Sequence, residues 1–341
     1  MPDSPAIVVL VFLLCAALIV AAGVRLAHYG DVIAARTGLG GLWIGSILLA
    51  GATSLPELAT DVAAVRIGAP DLAAGDLFGS SMSNMLILAL LDLLYPRAHV
   101  LRSATLDHVI SAMLAIVLTA IAALFLLVRT EMSFLGIGPG SLLLVIVYFV
   151  GTRAIYLHNA TERAARRDEA GEHEEDGKSG GLTLRQAGWR FGLAAVAILV
   201  VAPVFARSAE GIAELSGLGS TLVGTWLVGF STSLPELVAS IAAVRLGAYD
   251  MAVGNLFGSN ALNMIMFSIL DVASPSGPFL ASVSEVHALS ALVAIALMAT
   301  GMAAIAYRAH GRLRMLEPSS TVMVGLYLLG MVVLFLRGRG G

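Results

Sequence analysis

A proline and a glutamate interrupt a long apolar run, and the same arrangement occurs a second time. Residues 52–57 read ATSLPE, and residues 231–236 read STSLPE, 179 positions later. A proline inside a helix removes one backbone hydrogen bond and clashes with the carbonyl four residues back. A carboxylate in hydrocarbon costs several kcal/mol unless it faces a partner, an ion or water. Two such interruptions at matched positions therefore predict one shared functional centre.

The composition around these motifs is that of a membrane protein. Of 341 residues, 58% are hydrophobic and 13% are charged, and the mean hydropathy is +0.90. A soluble globular domain carries about 25% charged residues. Apolar runs of about 20 residues, each long enough to cross the hydrocarbon core, recur along the chain. We therefore predict an all-α polytopic membrane protein whose partners are the lipid bilayer and transported cations, with no nucleic acid.

Ten spans fit the hydropathy, arranged as two groups of five on either side of one long polar segment. The predicted spans are about 5–27, 38–66, 71–94, 106–128, 133–157, 188–212, 217–245, 250–272, 285–308 and 319–337. The second and seventh exceed 25 residues, which indicates tilt, a break, or both. The domain organisation expected from this pattern is a first five-helix unit (1–157), a linker (158–187) and a second five-helix unit (188–341).

The polar segment and the basic residues predict the orientation. With ten spans, 15 of the 20 Lys and Arg residues fall on the side of the segment 158–187. The positive-inside rule places that side in the cytoplasm and both termini outside, in the inner (plasma) membrane. The acidic patch within 168–176 is compatible with calcium sensing, but its composition favours a solvated hinge.

An internal repeat relates the two halves. Residues 38–92 align with 217–271 without a gap, and 28 of the 55 positions are identical. Because each unit has an odd number of spans, the second copy must enter the membrane from the opposite face. Inverted repeats of this kind are common in secondary transporters, which bind substrate near the midplane where broken helices meet. A duplication that served structure alone would have no reason to retain the proline and glutamate.

Oxygen-bearing side chains gather within one helical turn of four span centres. They comprise two carboxylates and eight hydroxyl or amide groups: Thr53, Ser54, Glu57, Ser80, Asn84, Thr232, Ser233, Glu236, Ser259 and Asn263. The prolines also free the carbonyls of Ala52 and Ser231. Hard cations such as Ca²⁺ and Na⁺ prefer such oxygen ligands, and two carboxylates balance one divalent ion. We predict a site for transported Ca²⁺ and Na⁺, and no cofactor.

Other residues near these motifs have simpler interpretations. Gly75 and Gly79, like Gly254 and Gly258, form a small-xxx-small face suited to close helix packing. Asp71 and Asp250 begin spans, which is typical of N-caps. Histidines such as His108 and His287 lie near span ends, where interfacial placement is expected.

Asp61 leaves two interpretations open. It lies four residues after Glu57, on the same helix face, where the second repeat has Ser240. It is either a residue of a water-filled external vestibule or an additional ion ligand.

The paired motifs resemble the sodium/calcium exchanger family of the cation/calcium exchanger superfamily. The resemblance rests on residues 53–57 with 75–84 and on residues 232–236 with 254–263. It implies that Glu57 and Glu236 coordinate Ca²⁺ in competition with Na⁺. It also implies that the Thr and Ser hydroxyls named above, with Asn84 and Asn263, complete the coordination.

The sequence departs from the family pattern at four positions. Ala52 and Ser231 stand where glycine is usual, and Ser81 replaces the asparagine kept at Asn260. Asn263 replaces an aspartate seen in some members, including potassium-dependent ones, which argues against potassium co-transport. These departures bear on the coupling ion and the stoichiometry more than on the fold.

The function expected from sequence is therefore an antiporter, not an enzyme, that exchanges sodium for calcium by alternating access. A calcium (or other cation)/proton exchanger is the nearest alternative, since acidic side chains can also carry protons. A remote alternative is an intramembrane aspartyl protease built on Asp61 and Asp76. The second repeat has Ser240 and Asn255 at those positions, which disfavours catalysis.

Overall fold

A computed structural model describes residues 5–134, 136–170, 182–215, 232–274, 277–307 and 318–338. These residues form helices and, apart from an isolated bridge between Phe134 and Ile137, no β-structure. The helices are α1 (Pro5–Thr37), α2 (Gly40–Trp43), a π-helical segment (Ile44–Leu49), α3 (Ala50–Arg66), α4 (Pro70–Leu94), α5 (Val100–Ser103), α6 (Asp107–Val128), α7 (Pro139–Ala170), α8 (Leu184–Leu215), α9 (Leu234–Arg245), α10 (Tyr249–Ala273), α11 (Phe279–Ser282), α12 (His287–Tyr307) and α13 (Pro318–Gly338).

The all-helical membrane architecture is confirmed. Within the described ranges, nine helical stretches are long and apolar enough to cross a bilayer. They correspond to nine of the ten predicted spans. The remaining prediction, 217–245, falls partly on residues 216–231, which lie outside the described residues, and α9 forms its second part. The polar segment is more helical than linker composition suggests, because α7 continues to Ala170 and α8 begins at Leu184.

Helices α4 and α10, which occupy equivalent positions in the two repeats, lie at the centre of the bundle. α4 and α10 are the most buried of the spanning helices, whereas α1, α7, α8 and α13 leave most of their apolar surface exposed. α10 packs against the π-helical segment, α3, α4, α6, α7 and α9, so it contacts both repeats. The motif helices are therefore held inside a shell of lipid-facing helices.

Glycines allow α10 to approach the π-helical segment at backbone distance. A Cβ added to Gly258 would lie 2.4 Å from the carbonyl oxygen of Ser46, and one added to Gly45 would lie 2.4 Å from that of Met251. Gly254 has the same role, with the Leu42 carbonyl oxygen at 2.9 Å. The packing role predicted for Gly254 and Gly258 is thus confirmed. The corresponding partners of Gly75 and Gly79, residues 221–225, lie outside the described residues.

Two histidine–aspartate contacts cross between the repeats. Nε2 of His108 lies 3.1 Å from Oδ1 of Asp250, and Nε2 of His287 lies 3.1 Å from Oδ1 of Asp71. Each aspartate also accepts a backbone N–H, that of Thr105 for Asp250 and that of Ser284 for Asp71. The two histidines are 179 residues apart, and so are the two aspartates, which is the repeat offset.

These contacts replace one expectation from the sequence. The N-cap positions of α4 and α10 are Ala69 and Ala248, without side-chain capping bonds, so Asp71 and Asp250 are cross-repeat links rather than N-caps. His108, the second residue of α6, is fully buried against protein. Spacing along one helix could not reveal either arrangement, because the partners belong to the other repeat.

Another buried aspartate lies near the C-terminal end of each central helix, α4 and α10. Asp92 accepts the backbone N–H of Leu101 and the hydroxyl of Ser320, at 3.1 and 2.6 Å. Its repeat counterpart, Asp271, accepts the backbone N–H groups of Gly138 and Phe279. These carboxylates are satisfied by protein donors, so their burial has a structural explanation.

Close packing at Gly258 is testable by adding one methyl group. We expect Gly258→Ala to lower stability by about 1–3 kcal/mol, because the added Cβ must displace backbone. Gly192→Ala, on the lipid-exposed side of α8 with open space around it, is the matched control and should have little effect. Thermal unfolding in detergent measures both. Equal midpoints for the two variants would contradict the packing role.

Candidate ion-binding site

The two TSLPE motifs adopt different local structures. In the first repeat, Pro56 lies inside α3, which follows directly on the π-helical segment. In the second, α9 begins at Leu234, and Pro235 occupies its first turn, where a backbone N–H is not needed. Ser233, the residue before α9, has φ −85° and ψ 3°, outside the helical region. The predicted break is thus present at the second motif, while the freed carbonyl of Ser231 lies outside the described residues.

All ten predicted ligand residues are buried. None is more than 4% exposed, and Thr53, Ser54, Glu57, Asn84, Glu236, Ser259 and Asn263 are completely inaccessible. Polar groups at such depth need partners, because removing them from water costs free energy. A cation can reach them only if the surrounding helices move.

Hydrogen bonds join the motif of one repeat to the motif of the other. Ser54 Oγ lies 3.2 Å from Oε1 of Glu236 and 3.1 Å from Oγ of Ser259. Asn84 donates from Nδ2 to Oδ1 of Asn260 at 2.9 Å. The structure therefore brings Ser54 of the first repeat together with Glu236 and Ser259 of the second, and joins Asn84 to Asn260.

The two threonines form equivalent contacts. Thr53 Oγ1 lies 3.4 Å from Oδ1 of Asn255, and Thr232 Oγ1 lies 3.3 Å from Oδ1 of Asp76. Thr53 also donates to the carbonyl of Leu49, in the π-helical segment. The pseudo-twofold relation of the repeats thus extends to individual side chains.

Several buried oxygens at this centre have no hydrogen-bond donor among the described residues. Both carboxylate oxygens of Glu57 belong to this group, with Oε2 of Glu236, Oδ1 of Asn84 and Asn263, and Oγ of Ser80 and Ser233. Glu57 lies close enough to Glu236 for their charges to interact. Two buried carboxylates that interact and leave three of their four oxygens without donors form an environment suited to a cation.

The oxygens available to such a cation are mainly neutral. In the described part of the chain, no three His, Cys, Asp or Glu side chains converge in a geometry that would hold a metal ion. A cation between Glu57 and Glu236 would therefore take its other ligands from hydroxyl, amide and carbonyl groups. Ca²⁺ accepts such mixed oxygen sets, with six to eight ligands.

Three neighbouring side chains were not among the predicted ligands. Asp76, Asn255 and Asn260 contact ligand residues directly. Asp76 and Asn255 each lie four residues before a predicted serine ligand, on the same helix face, and this spacing could have identified them. Asp61 is only 1% exposed, which does not fit a water-filled vestibule.

The comparison with protein families matches both halves of the chain. The model of the sodium/calcium exchanger protein family matches residues 7–156 and 187–336, one match for each repeat. The chain belongs to the sodium/calcium exchanger family. It is therefore an integral membrane transporter and not an enzyme. The two matches correspond to the two five-helix repeats inferred from the sequence.

Similar proteins are found by sequence and by fold. Inner membrane protein YrbG of Escherichia coli (strain K12) is 29% identical over 254 residues, which cover 73% of this chain and 74% of that protein. Sodium/calcium exchanger MaX1 of Methanosarcina acetivorans is 42% identical over 74 residues, covering 22% of this chain and 21% of that protein. A solved structure of the sodium-calcium exchanger NCX_Mj superposes with a TM-score of 0.71 at 22% identity, covering 96% of this chain and 98% of that one.

The contact between Ser54 and Glu236 gives a test of the assembled centre. We expect Ser54→Ala to destabilise the protein by about 1–3 kcal/mol, because a buried carboxylate oxygen loses its donor. Ser81→Ala is the matched control, since among the described residues the Ser81 hydroxyl bonds only to the Leu77 carbonyl of its own helix. Thermal unfolding in detergent measures both variants. If Ser81→Ala lowers the stability as much as Ser54→Ala does, the Ser54–Glu236 contact does not stabilise the protein.

Proposed function

We propose that this protein exports Ca²⁺ in exchange for Na⁺, with both ions binding between Glu57 and Glu236. The observation that carries the proposal is the pair of fully buried carboxylates, one from each repeat, with oxygens that lack donors among the described residues. In that part of the chain no basic side chain forms an ion pair with either one. Where both are ionised, a bound cation is what balances their charge.

The proposed ligand set is the one expected from the sequence. It comprises Thr53, Ser54, Glu57, Ser80, Asn84, Thr232, Ser233, Glu236, Ser259 and Asn263. One Ca²⁺ balances both carboxylates, and Na⁺ ions would compete for the same oxygens. The neutral Asn263 keeps the net charge of the set at −2, which suits a single divalent ion.

Alternating access follows from the burial of the site. Because every proposed ligand is buried, exchange requires one group of helices to move relative to the other and to open one face at a time. The inverted repeats supply two equivalent packing arrangements, and the crossed histidine–aspartate contacts are candidate elements that differ between them.

We place the protein in the inner (plasma) membrane, with both termini outside and the segment 158–187 in the cytoplasm. The domain division 1–157, 158–187 and 188–341 belongs to the same proposal. Support comes from the distribution of Lys and Arg and from the two family matches, which end at residue 156 and resume at residue 187. One relative, YrbG, is named as an inner membrane protein.

Calcium/proton exchange is the second candidate. The observation in its favour is that Asp61 and Asp76 add two carboxyl groups next to Glu57, and these groups could carry protons as well as metal ions. The names of MaX1 and NCX_Mj, both sodium/calcium exchangers, favour sodium coupling.

Ion flux into proteoliposomes distinguishes the two. An outward Na⁺ gradient at fixed pH should drive ⁴⁵Ca²⁺ uptake, whereas an outward K⁺ gradient should not. Glu57→Gln and Glu236→Gln should each reduce uptake to background, because a single carboxylate no longer balances Ca²⁺. Glu131→Gln, an exposed acid in the loop after α6, is the matched control and should transport normally. Uptake driven by a pH gradient and indifferent to Na⁺ would refute sodium coupling.

A further inference from the structure

A pair of aspartates breaks the symmetry of the two repeats. The carboxyl groups of Asp61, on α3, and Asp76, on α4, lie close enough to interact. The equivalent positions in the second repeat are Ser240 and Asn255, where Asn255 Nδ2 donates to Ser240 Oγ at 3.0 Å. The same contact is therefore neutral in one half of the bundle and doubly acidic in the other.

The acidic pair lacks the partners that satisfy other aspartates between these helices. Asp92 and Asp271 accept backbone N–H groups, and Asp71 and Asp250 contact histidines. Asp61, by contrast, is 1% exposed, and its Oδ2, like Oδ2 of Asp76, is buried without a hydrogen-bond partner among the described residues. A structural role of the kind filled by Asp92 does not explain this arrangement.

The neighbourhood adds negative charge instead of neutralising it. Glu57 lies near both Asp61 and Asp76, is fully buried, and has no donor to either carboxylate oxygen. No ion pair joins any of these three acids to a basic side chain in the described ranges. With Glu236, four carboxyl groups share this part of the core, whereas one Ca²⁺ balances only two. Isolated buried charges are strongly unfavourable, so the remaining two acids need either protons or a second cation.

We propose that Asp61 and Asp76 form a second metal-cation site, present in the first repeat only, beside the Glu57–Glu236 centre. The site rests on the proposed function and deepens it, since it adds an ion to each transport cycle. Its oxygens are the two carboxylates and the hydroxyl of Thr232, which already contacts Asp76. A hard monovalent cation such as Na⁺ suits two acids and a hydroxyl that lie next to a divalent site.

The position of the pair makes this site one-sided. Asp61 follows Glu57 by one helical turn towards the end of α3 at Arg66, and Asp76 lies shortly after the start of α4. In the proposed orientation this end faces outside, and the neutral pair of Ser240 and Asn255 faces the cytoplasm. The extra cation would therefore be exchanged with the external solution.

The chain itself supplies the sharpest test variant. The double substitution Asp61→Ser and Asp76→Asn copies the second repeat into the first, so its side chains are already compatible with this backbone contact. Equilibrium binding of ²²Na⁺ and ⁴⁵Ca²⁺ to purified protein at fixed pH gives the number of bound ions per chain. We expect the double variant to bind one cation fewer than the unmodified protein while retaining the Ca²⁺ that Glu57→Gln loses. Glu131→Gln should retain the full number.

The outcomes separate this proposal from the proposed function. If Glu57→Gln abolishes transport but the double variant binds as many metal ions as the unmodified protein, the exchanger mechanism stands and the second site is wrong. If the unmodified protein binds no more metal ions than the double variant but takes up one more proton in a pH titration at saturating Ca²⁺, the pair is a protonated acid pair and the metal site is again wrong. If Glu57→Gln transports normally yet the double variant loses a bound ion, the proposed function fails and the second site survives.

Discussion

The cost of burying carboxylates governs the centre of this structure. Glu57 and Glu236 are fully buried where the two repeats meet, and in the described part of the chain neither forms an ion pair with a basic side chain. In a low-dielectric interior, ionised carboxylates are tolerated only when positive charge is close by. Hydroxyl groups of the opposite repeat contribute to this centre, as Ser54 does for Glu236.

The inverted repeat provides the geometry that this centre needs. Residues of one repeat contact residues of the other at the centre, as in the pairs Ser54–Glu236 and Asn84–Asn260. The same crossing is repeated away from the centre, where His108 and His287 contact the aspartates of the opposite half. Because neither repeat completes a site by itself, relative motion of the two halves must alter every cross-repeat contact. That coupling of site and interface is what alternating access requires.

The departures from symmetry are as informative as the symmetry. Asp61 and Asp76 add charge to one side of a centre that is otherwise nearly twofold. A duplicated pair of five-helix units therefore yields a site whose two faces are chemically different.

The sequence by itself determined the class of fold, the repeat and most of the candidate site. Hydropathy marks the spans because a bilayer accepts only long apolar helices, and Pro56 and Glu57 stand out because they break that rule. Helical spacing places Ser80 with Asn84 on one face for the same local reason. Only the tertiary structure decided which residues meet across the repeats: that Asp71 and Asp250 pair with histidines instead of capping helices, and that Asp76 joins Asp61 and Thr232. These contacts depend on how helices 179 residues apart pack together, and the local periodicity of one helix carries no information about the partner that faces it.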